Sequence, residues 1–314
     1  MKFIIISASR RTDIPAFYSR WFMNRIREGY CTVVNPYNRN QVSRVSLHPE
    51  DVDVIVFVTK NPKPMIPYLD ELDSKGYRYY FQFTLTGYSP ELEAYVPDLD
   101  SSIKTFVDLA SRIGPGKVIW RYDPIIISNL TGYEYHKTMF QKIAEYLKGS
   151  TNRVIISIVT AYRKAALQFE QLAKQDIHIS KDLNPVYFED MIRTIYLTSS
   201  QNDMEIFSCA EKHDLRPFGI LPGKCIDNEY IERLFGISVT QKRDKSQRLQ
   251  CGCVDSKDIG FYDTCLHGCA YCYAGTYQGG LKNIEEHNPN SASLLGNFDV
   301  RKDDNKQISL FNGI

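Results

Sequence analysis

With 314 residues, 43% of them apolar and 24% charged, the chain has a globular composition and can bury a substantial core as one large domain with a small appendage. Its 38 basic and 37 acidic side chains nearly cancel, so no global field marks a polyanionic partner, although a local basic groove stays open. The apolar run within Met1–Ser7 is too short for a secretory signal and no stretch of about 18 apolar residues follows, which predicts a cytoplasmic protein with no membrane contact.

Up to about Cys209, short β-branched and aromatic runs alternate with longer segments of helical period, the pattern of βα units around a parallel sheet. Strands are expected near Phe3–Ser7, Val54–Thr59, Tyr79–Leu85, Val118–Tyr122, Val154–Ile158 and Glu205–Ser208. Their apolar character on both faces suits a sheet covered by helices. Helices are expected over Phe17–Arg27, after Asp13 and Pro15; over Ile103–Ile113, between Ser101 and Gly114; and over Tyr135–Leu147, ended by Gly149. Ile103, Phe106, Val107, Ala110 and Ile113 recur at helical spacing and form a packing stripe.

If the strands form a barrel or part of one, the residues just past their C-terminal ends converge on one mouth. Those residues are Ser7–Asp13, Thr59-Lys60-Asn61-Pro62, Thr84-Leu85-Thr86-Gly87 and Arg121-Tyr122-Asp123-Pro124. For Asp13 and Thr86 the plainer reading is a cap or loop residue satisfying backbone groups. Lys60, Arg10 and Arg121 are different, because a cation aimed into a cavity needs an anionic partner or ligand. Arg10, Arg121 and Asp123 are the candidates for catalysis, with Gln82 and Ser157 behind them. No phosphate-binding glycine loop is present, so nucleotide hydrolysis and hydride transfer have no support.

Five of the eight cysteines fall between Cys251 and Cys272. In a reducing compartment such a group points to metal ligation or catalysis rather than disulfides. Cys265, Cys269 and Cys272 have the C-x3-C-x2-C spacing of three corners of a cubane iron–sulfur cluster, with one iron left for a non-protein ligand. A zinc-only site is the competing reading, although zinc ribbons pair one C-x2-C with another. Cys209, Cys225, Cys251 and Cys253 can ligate a second centre, an auxiliary iron–sulfur cluster or a zinc, and Cys31 reads as a small buried apolar residue.

The string Cys265-Leu-His267-Gly268-Cys269-Ala-Tyr271-Cys272-Tyr273-Ala274 resembles the signature of radical S-adenosylmethionine enzymes, most closely the spore photoproduct lyase and DNA-repair-photolyase-like branch. There the motif follows the first barrel strand, whereas here it follows all the others, behind a short strand in Asp258–Thr264. A barrel brings its first and last strands together, so the order reads as a circular permutation. Val56–Asn61 is similar to a strand of that branch ending in Thr-Lys, and Thr84 and Asp123–Ile126 follow in its order. Over nearly its full length the chain resembles a bacterial family known as DUF1848.

The resemblance implies an α/β fold: a partial (β/α) barrel of TIM-like type, circularly permuted, with a C-terminal Cys-rich metal-binding segment. It divides as a barrel over 1–208, an iron–sulfur segment with the displaced strand over 209–280, and a polar arm over 281–314. It further implies a 4Fe-4S cluster on Cys265, Cys269 and Cys272 with S-adenosylmethionine on the fourth iron. Lys60, Tyr271 and Thr84 would line the cofactor pocket, Tyr271 against the adenine, and a flavodoxin or ferredoxin would be the reductant. The expected activity is radical chemistry on a nucleic acid lesion or base; the alternative is a non-catalytic zinc- or iron–sulfur-binding adaptor. Gln307–Phe311 resembles the peptide by which bacterial repair proteins dock on the DNA sliding clamp, against the plainer reading that Ile308, Leu310 and Phe311 fold back on the protein's own surface.

Overall fold

The computed structural model describes residues 3–298. Its strands are β1 (Ile4–Ala8), β2 (Tyr30–Asn35), β3 (Asn38–Ser46), β4 (Val52–Thr59), β5 (Tyr79–Thr84), β6 (Val118–Ile125), β7 (Arg153–Ile158), β8 (Glu205–Cys209), β9 (Leu221–Gly223) and β10 (Lys257–Asp258). The helices are α1 (Ile14–Phe17), α2 (Ser19–Glu28), α3 (Leu69–Ser74), α4 (Leu99–Ile113), α5 (Tyr133–Leu147), α6 (Arg163–Ala173), α7 (Pro185–Gln201), α8 (Asn228–Phe235) and α9 (Tyr277–Ile284).

Eight strands form one parallel sheet in the order β10-β1-β4-β5-β6-β7-β8-β9. All six expected strands are in it. The sheet is open: β10 and β9 are its two edges. The short strand expected ahead of the cysteine signature is β10, and it pairs parallel with β1 through Ile6 with Lys257 and Ser7 with Asp258. Two strands 251 residues apart in the chain are therefore neighbours in the sheet.

Alternation sends each strand's residues to two apolar layers. Ile6, Phe57, Phe81, Phe83, Trp120, Tyr122, Val154 and Ile156 join the cores of α2, α4, α5 and α7. On the other face Ile5, Val54, Val56, Tyr80, Ile119 and Ile155 meet Ile226, Tyr230, Ile231 and Val254. Segment 226–254, which includes α8, thus covers the second face of the sheet. Cys31 is wholly buried among apolar side chains, as expected.

Three local expectations are corrected. Helix α4 begins at Leu99 rather than after Ser101, because the Asp98 carboxylate caps it by accepting the Ser101 backbone N–H at 2.8 Å. The hairpin β2–β3 was not expected; it is antiparallel and stands apart from the main sheet. The segment after Gly280 was expected to be an exposed arm, yet Ala292, Leu294 and Leu295 are buried. Trp21 Nε1 donates to the Ser291 carbonyl at 3.0 Å, and Thr32 bridges Ser293. Gln307–Phe311 lies outside the described residues. No helix among the described residues is long and apolar enough to cross a membrane.

Candidate metal centre and its cavity

The C-terminal ends of the sheet strands open into a cavity of about 390 Å³, within the usual range for a small-molecule site. Its wall carries Arg10 after β1, Lys60 after β4, Thr84 in β5, Arg121 and Asp123 in β6, and Ser157 in β7. Tyr271 and seven of the eight cysteines line the same space: Cys209, Cys225, Cys251, Cys253, Cys265, Cys269 and Cys272. Of the candidate site residues named from sequence, Gln82 is fully buried behind the wall and the others line this one cavity.

The cysteine loop is held there by backbone and side-chain bonds of its own. The segment after β5 pairs with it: Tyr95 N–H donates to the His267 carbonyl at 2.9 Å, Ala270 N–H to the Leu92 carbonyl at 2.9 Å, and Glu93 bridges Cys269. His267 Nε2 lies 2.8 Å from Asp13 Oδ2. The same Asp13 oxygen accepts the Lys60 backbone N–H at 2.7 Å, while Oδ1 caps α1 through Ala16 N–H at 2.9 Å. Asp13 is thus the cap that its position in the sequence predicts, and also the pin joining β1, β4 and the cysteine loop.

Glu93 is the residue that sequence reasoning missed. It is 5% exposed, and Oε1 takes hydrogen bonds from Lys60 Nζ at 2.7 Å, from Thr86 Oγ1 at 2.7 Å and from the Tyr271 hydroxyl. Burial alone would pull the Lys60 ammonium down, but Glu93, with Cys269 and Asp123 nearby, outweighs it and holds the pKa above the ordinary lysine value. Lys60 also lies 5.7 Å from the centre of the Tyr271 ring, which meets Tyr88 edge-on. Nothing in Ser89-Pro-Glu-Leu-Glu93 sets Glu93 apart from Glu91 except its place in a strand-end loop.

Arg121 and Asp123 form an ion pair; Arg121 Nη1 also reaches Gln82 Oε1 at 3.3 Å and Cys225 Sγ at 2.6 Å, and Ser157 Oγ donates to Asp123. Gln82 Nε2 in turn donates to the Cys225 carbonyl at 2.6 Å. Arg10 faces Asp244 at 3.1 Å and Asp258 at 3.7 Å, and its Nη1 is buried with no partner. That orphaned donor leaves positive hydrogen-bonding capacity in the cavity wall.

The thiols fall into two groups. Cys265, Cys269 and Cys272 are partly exposed to the cavity, and burial against the wall pushes all three thiols up. Cys209, Cys225, Cys251 and Cys253 are buried, with Cys209 Sγ 2.9 Å from Cys225 Sγ. Hydrogen bonds from Cys209 and Cys253, and then Arg121, draw Cys225 well below an ordinary thiol, while a bond from Cys253 brings Cys251 down to about 7. Donating those hydrogen bonds, with burial adding to the effect, pushes Cys209 and Cys253 up. Among the described residues no three His, Cys, Asp or Glu side chains are already spaced to grip a single metal ion. A separation of 2.9 Å is shorter than the roughly 3.8 Å between sulfurs on a tetrahedral zinc with bonds of ~2.3 Å.

Residues 5–274, which hold the signature loop and all of the main sheet but its first residue, Ile4, match the family model described as "Domain of unknown function (DUF1848)". The chain belongs to the DUF1848 family. No curated protein matches it. Among solved structures, the tandem GH20 catalytic modules of the pneumococcal exo-beta-D-N-acetylglucosaminidase StrH are similar at 9% identity, over 66% of this chain and 53% of that one. The TM-score is 0.24, too low to bear on fold or activity. The DUF1848 match ends at Ala274, two residues past the last cysteine of the signature.

Proposed function

We propose that this DUF1848 protein is a radical S-adenosylmethionine enzyme built on a partial, circularly permuted (β/α) barrel. The observation that carries the reading is the meeting of Cys265, Cys269 and Cys272 with Lys60, Thr84, Arg121 and Asp123 in one cavity, from segments up to 212 residues apart. The donor set fits: all three are free thiols that face the space, as corner ligands of a cubane cluster must. When bound with S-adenosylmethionine and reduced by a flavodoxin or ferredoxin, a 4Fe-4S cluster on these residues supplies a 5′-deoxyadenosyl radical for hydrogen abstraction.

The chain's own residues hold and enclose. Cys265, Cys269 and Cys272 would hold three irons of such a cluster and leave the fourth without a side chain, while the pairing of residues 92–95 holds the cysteine loop against the cavity. Lys60 is the cation beside Cys269, with Glu93 keeping it charged and Tyr271 lying under it. Such a group suits the carboxylate end of an amino acid, and Thr84 and Tyr271 supply the neighbouring wall. Arg10 and Arg121, with Asp123, are left for the substrate. Pairing of β10 with β1 supports the permutation, since a strand moved to the chain's end has kept its place beside the strand that opens the chain.

The substrate class proposed is a nucleic acid lesion or base, a reading that rests on the likeness to the DNA-repair-photolyase-like branch and on the clamp-like peptide Gln307–Phe311. Purification without oxygen tests the enzyme. The expected protein is brown, bleaches with dithionite and releases 5′-deoxyadenosine from S-adenosylmethionine, and Cys269→Ala loses this cluster's iron and sulfide together with the nucleoside. Nucleoside production retained in Cys269→Ala, or a colourless chain carrying only zinc, overturns the reading and leaves the metal-binding adaptor.

A further inference from the structure

We propose that Cys209, Cys225, Cys251 and Cys253 form a second metal centre, a four-thiolate site in the wall of the same cavity. The inference stands apart from the reading of Cys265, Cys269 and Cys272 and survives its failure. Three separate segments supply the sulfurs: the end of β8, the turn after β9, and the Cys251-Gly252-Cys253 loop. Each of the four is at most 7% exposed. Cys209 and Cys225 lie 2.9 Å apart, Ile226 N–H donates to Cys253 Sγ at 3.4 Å, and all four cysteines line the one cavity.

Apolar packing does not require this. A buried cysteine packs as a small hydrophobe, but an apolar core is served as well by alanine or valine and does not select four sulfurs from three segments. At 2.9 Å the closest pair is well outside the about 2.05 Å of a disulfide. The surroundings are those of an anion. Arg121 Nη1 donates to Cys225 Sγ at 2.6 Å, and Arg10, whose Nη1 is buried and unpartnered, lies beside Cys253 and Cys251. Zinc with four thiolates and an oxidised cubane cluster with four thiolates are both dianions, and although Arg121 and Arg10 are also paired with carboxylates, their remaining N–H donors face the sulfurs and offset part of that charge. Backbone and guanidinium N–H groups on sulfur are the outer partners that hold such ligands in place. Loading requires the tightest pair of sulfurs to part by about an ångström, to the separation that zinc–sulfur bonds of ~2.3 Å demand, or further for a cluster.

The shared chemistry is a soft metal on thiolate, and metal and sulfide analysis separates its two sources. The full-length chain carrying Cys265→Ala, Cys269→Ala and Cys272→Ala is purified without oxygen and assayed for iron, zinc and acid-labile sulfide. The expected result is about one centre per chain: zinc without sulfide, or iron with an equal amount of sulfide. Adding Cys225→Ser and Cys253→Ser should lower that content roughly tenfold or more. A folded triple variant without metal, or a content unchanged by the two serines, overturns the proposal. Because the five-fold variant can fail to fold, the wild-type chain provides a second measurement by alkylation and mass spectrometry. Labelling of these four cysteines should rise sharply when a chelator strips the metal under reducing conditions. No change on stripping overturns it equally.

Discussion

His136 sits wholly inside the core with both ring nitrogens engaged: Nδ1 is 2.8 Å from the Tyr122 hydroxyl and Nε2 is 2.9 Å from the Ile126 carbonyl. The carbonyl can only accept, so Nε2 carries the hydrogen and Nδ1 takes the tyrosine's. Burial pushes the imidazole down to about 4, against a small opposing pull from the Ile126 carbonyl. As pH falls, the unfolded chain therefore gains its proton first. This contribution is whole above about pH 6.5, and it drains away until the native imidazole protonates near 4. The expected loss between pH 7 and pH 5 is about 2 kcal/mol, and His136→Gln should remove that share of the slope while lowering stability at pH 7. Urea unfolding at the two pH values decides it, and equal slopes in both proteins would sink the assignment. At this scale the sequence was informative where chemistry is rare and silent where it is common. The cysteines declared themselves by spacing, and Lys60, Arg10 and Arg121 by being cations at strand ends. Glu93 did not, because one glutamate in an acidic loop looks like any other until Lys60, Thr86 and Tyr271 are seen around it.

Helix α9 shows how an element away from the cavity can position the cysteine loop. Thr276 caps it through Gly279 N–H at 3.1 Å, and it lies against the Asp263–Leu266 backbone on the face that carries Gly279 and Gly280. A Cβ at Gly280 would stand 2.8 Å from the Cys265 carbonyl oxygen and 2.9 Å from Leu266 Cδ2. Alanine in a helix interior normally gains up to about 1 kcal/mol over glycine. Here backbone must move to admit it, and overpacking of that kind costs about 1–3 kcal/mol, so the cost prevails. Gly280→Ala should lower the melting temperature by a few degrees and reduce iron bound per chain, with Gln278→Ala, on the exposed face, as the unchanged control. A rise in melting temperature would show that α9 does not press on Cys265. The glycine pair could be seen in the sequence, but its reason could not, since the atoms it approaches belong to a loop. The hairpin β2–β3 escaped for a related cause: Asn38–Ser46 is mostly polar, and its partner is local rather than the main sheet, so the apolar alternation that marked the other strands is weak.

At the scale of the molecule the chain is closed on itself by Asp258. Its carboxylate receives Ser7 Oγ at 3.2 Å, Ser9 Oγ at 2.6 Å, Arg10 N–H at 2.8 Å and Gly260 N–H at 3.0 Å, with the Arg10 side chain at 3.7 Å. The two-residue strand β10 has little backbone pairing of its own, so this one side chain supplies much of the seam between the first strand and the last quarter of the chain. The seam also places the cysteine loop, which follows directly. Periodicity could give the strands, but nothing in an isolated Asp-Ile-Gly announces that Asp258 holds both ends. Asp258→Asn is nearly isosteric, yet it turns one acceptor oxygen into an amide donor facing groups that already donate. Losing one partner of a buried charged network costs roughly 3–5 kcal/mol. By contrast, Arg27→Ala removes an ion pair with Glu71 at 2.5 Å that lies in solvent, worth no more than about 1 kcal/mol. Chemical denaturation of the two variants beside wild type should therefore separate them severalfold, with metal content falling in Asp258→Asn alone. If Asp258→Asn unfolds with wild type and keeps its metal, the ends of this chain are joined by something other than that carboxylate, and the cysteine loop owes its place to the residue 92–95 pairing instead.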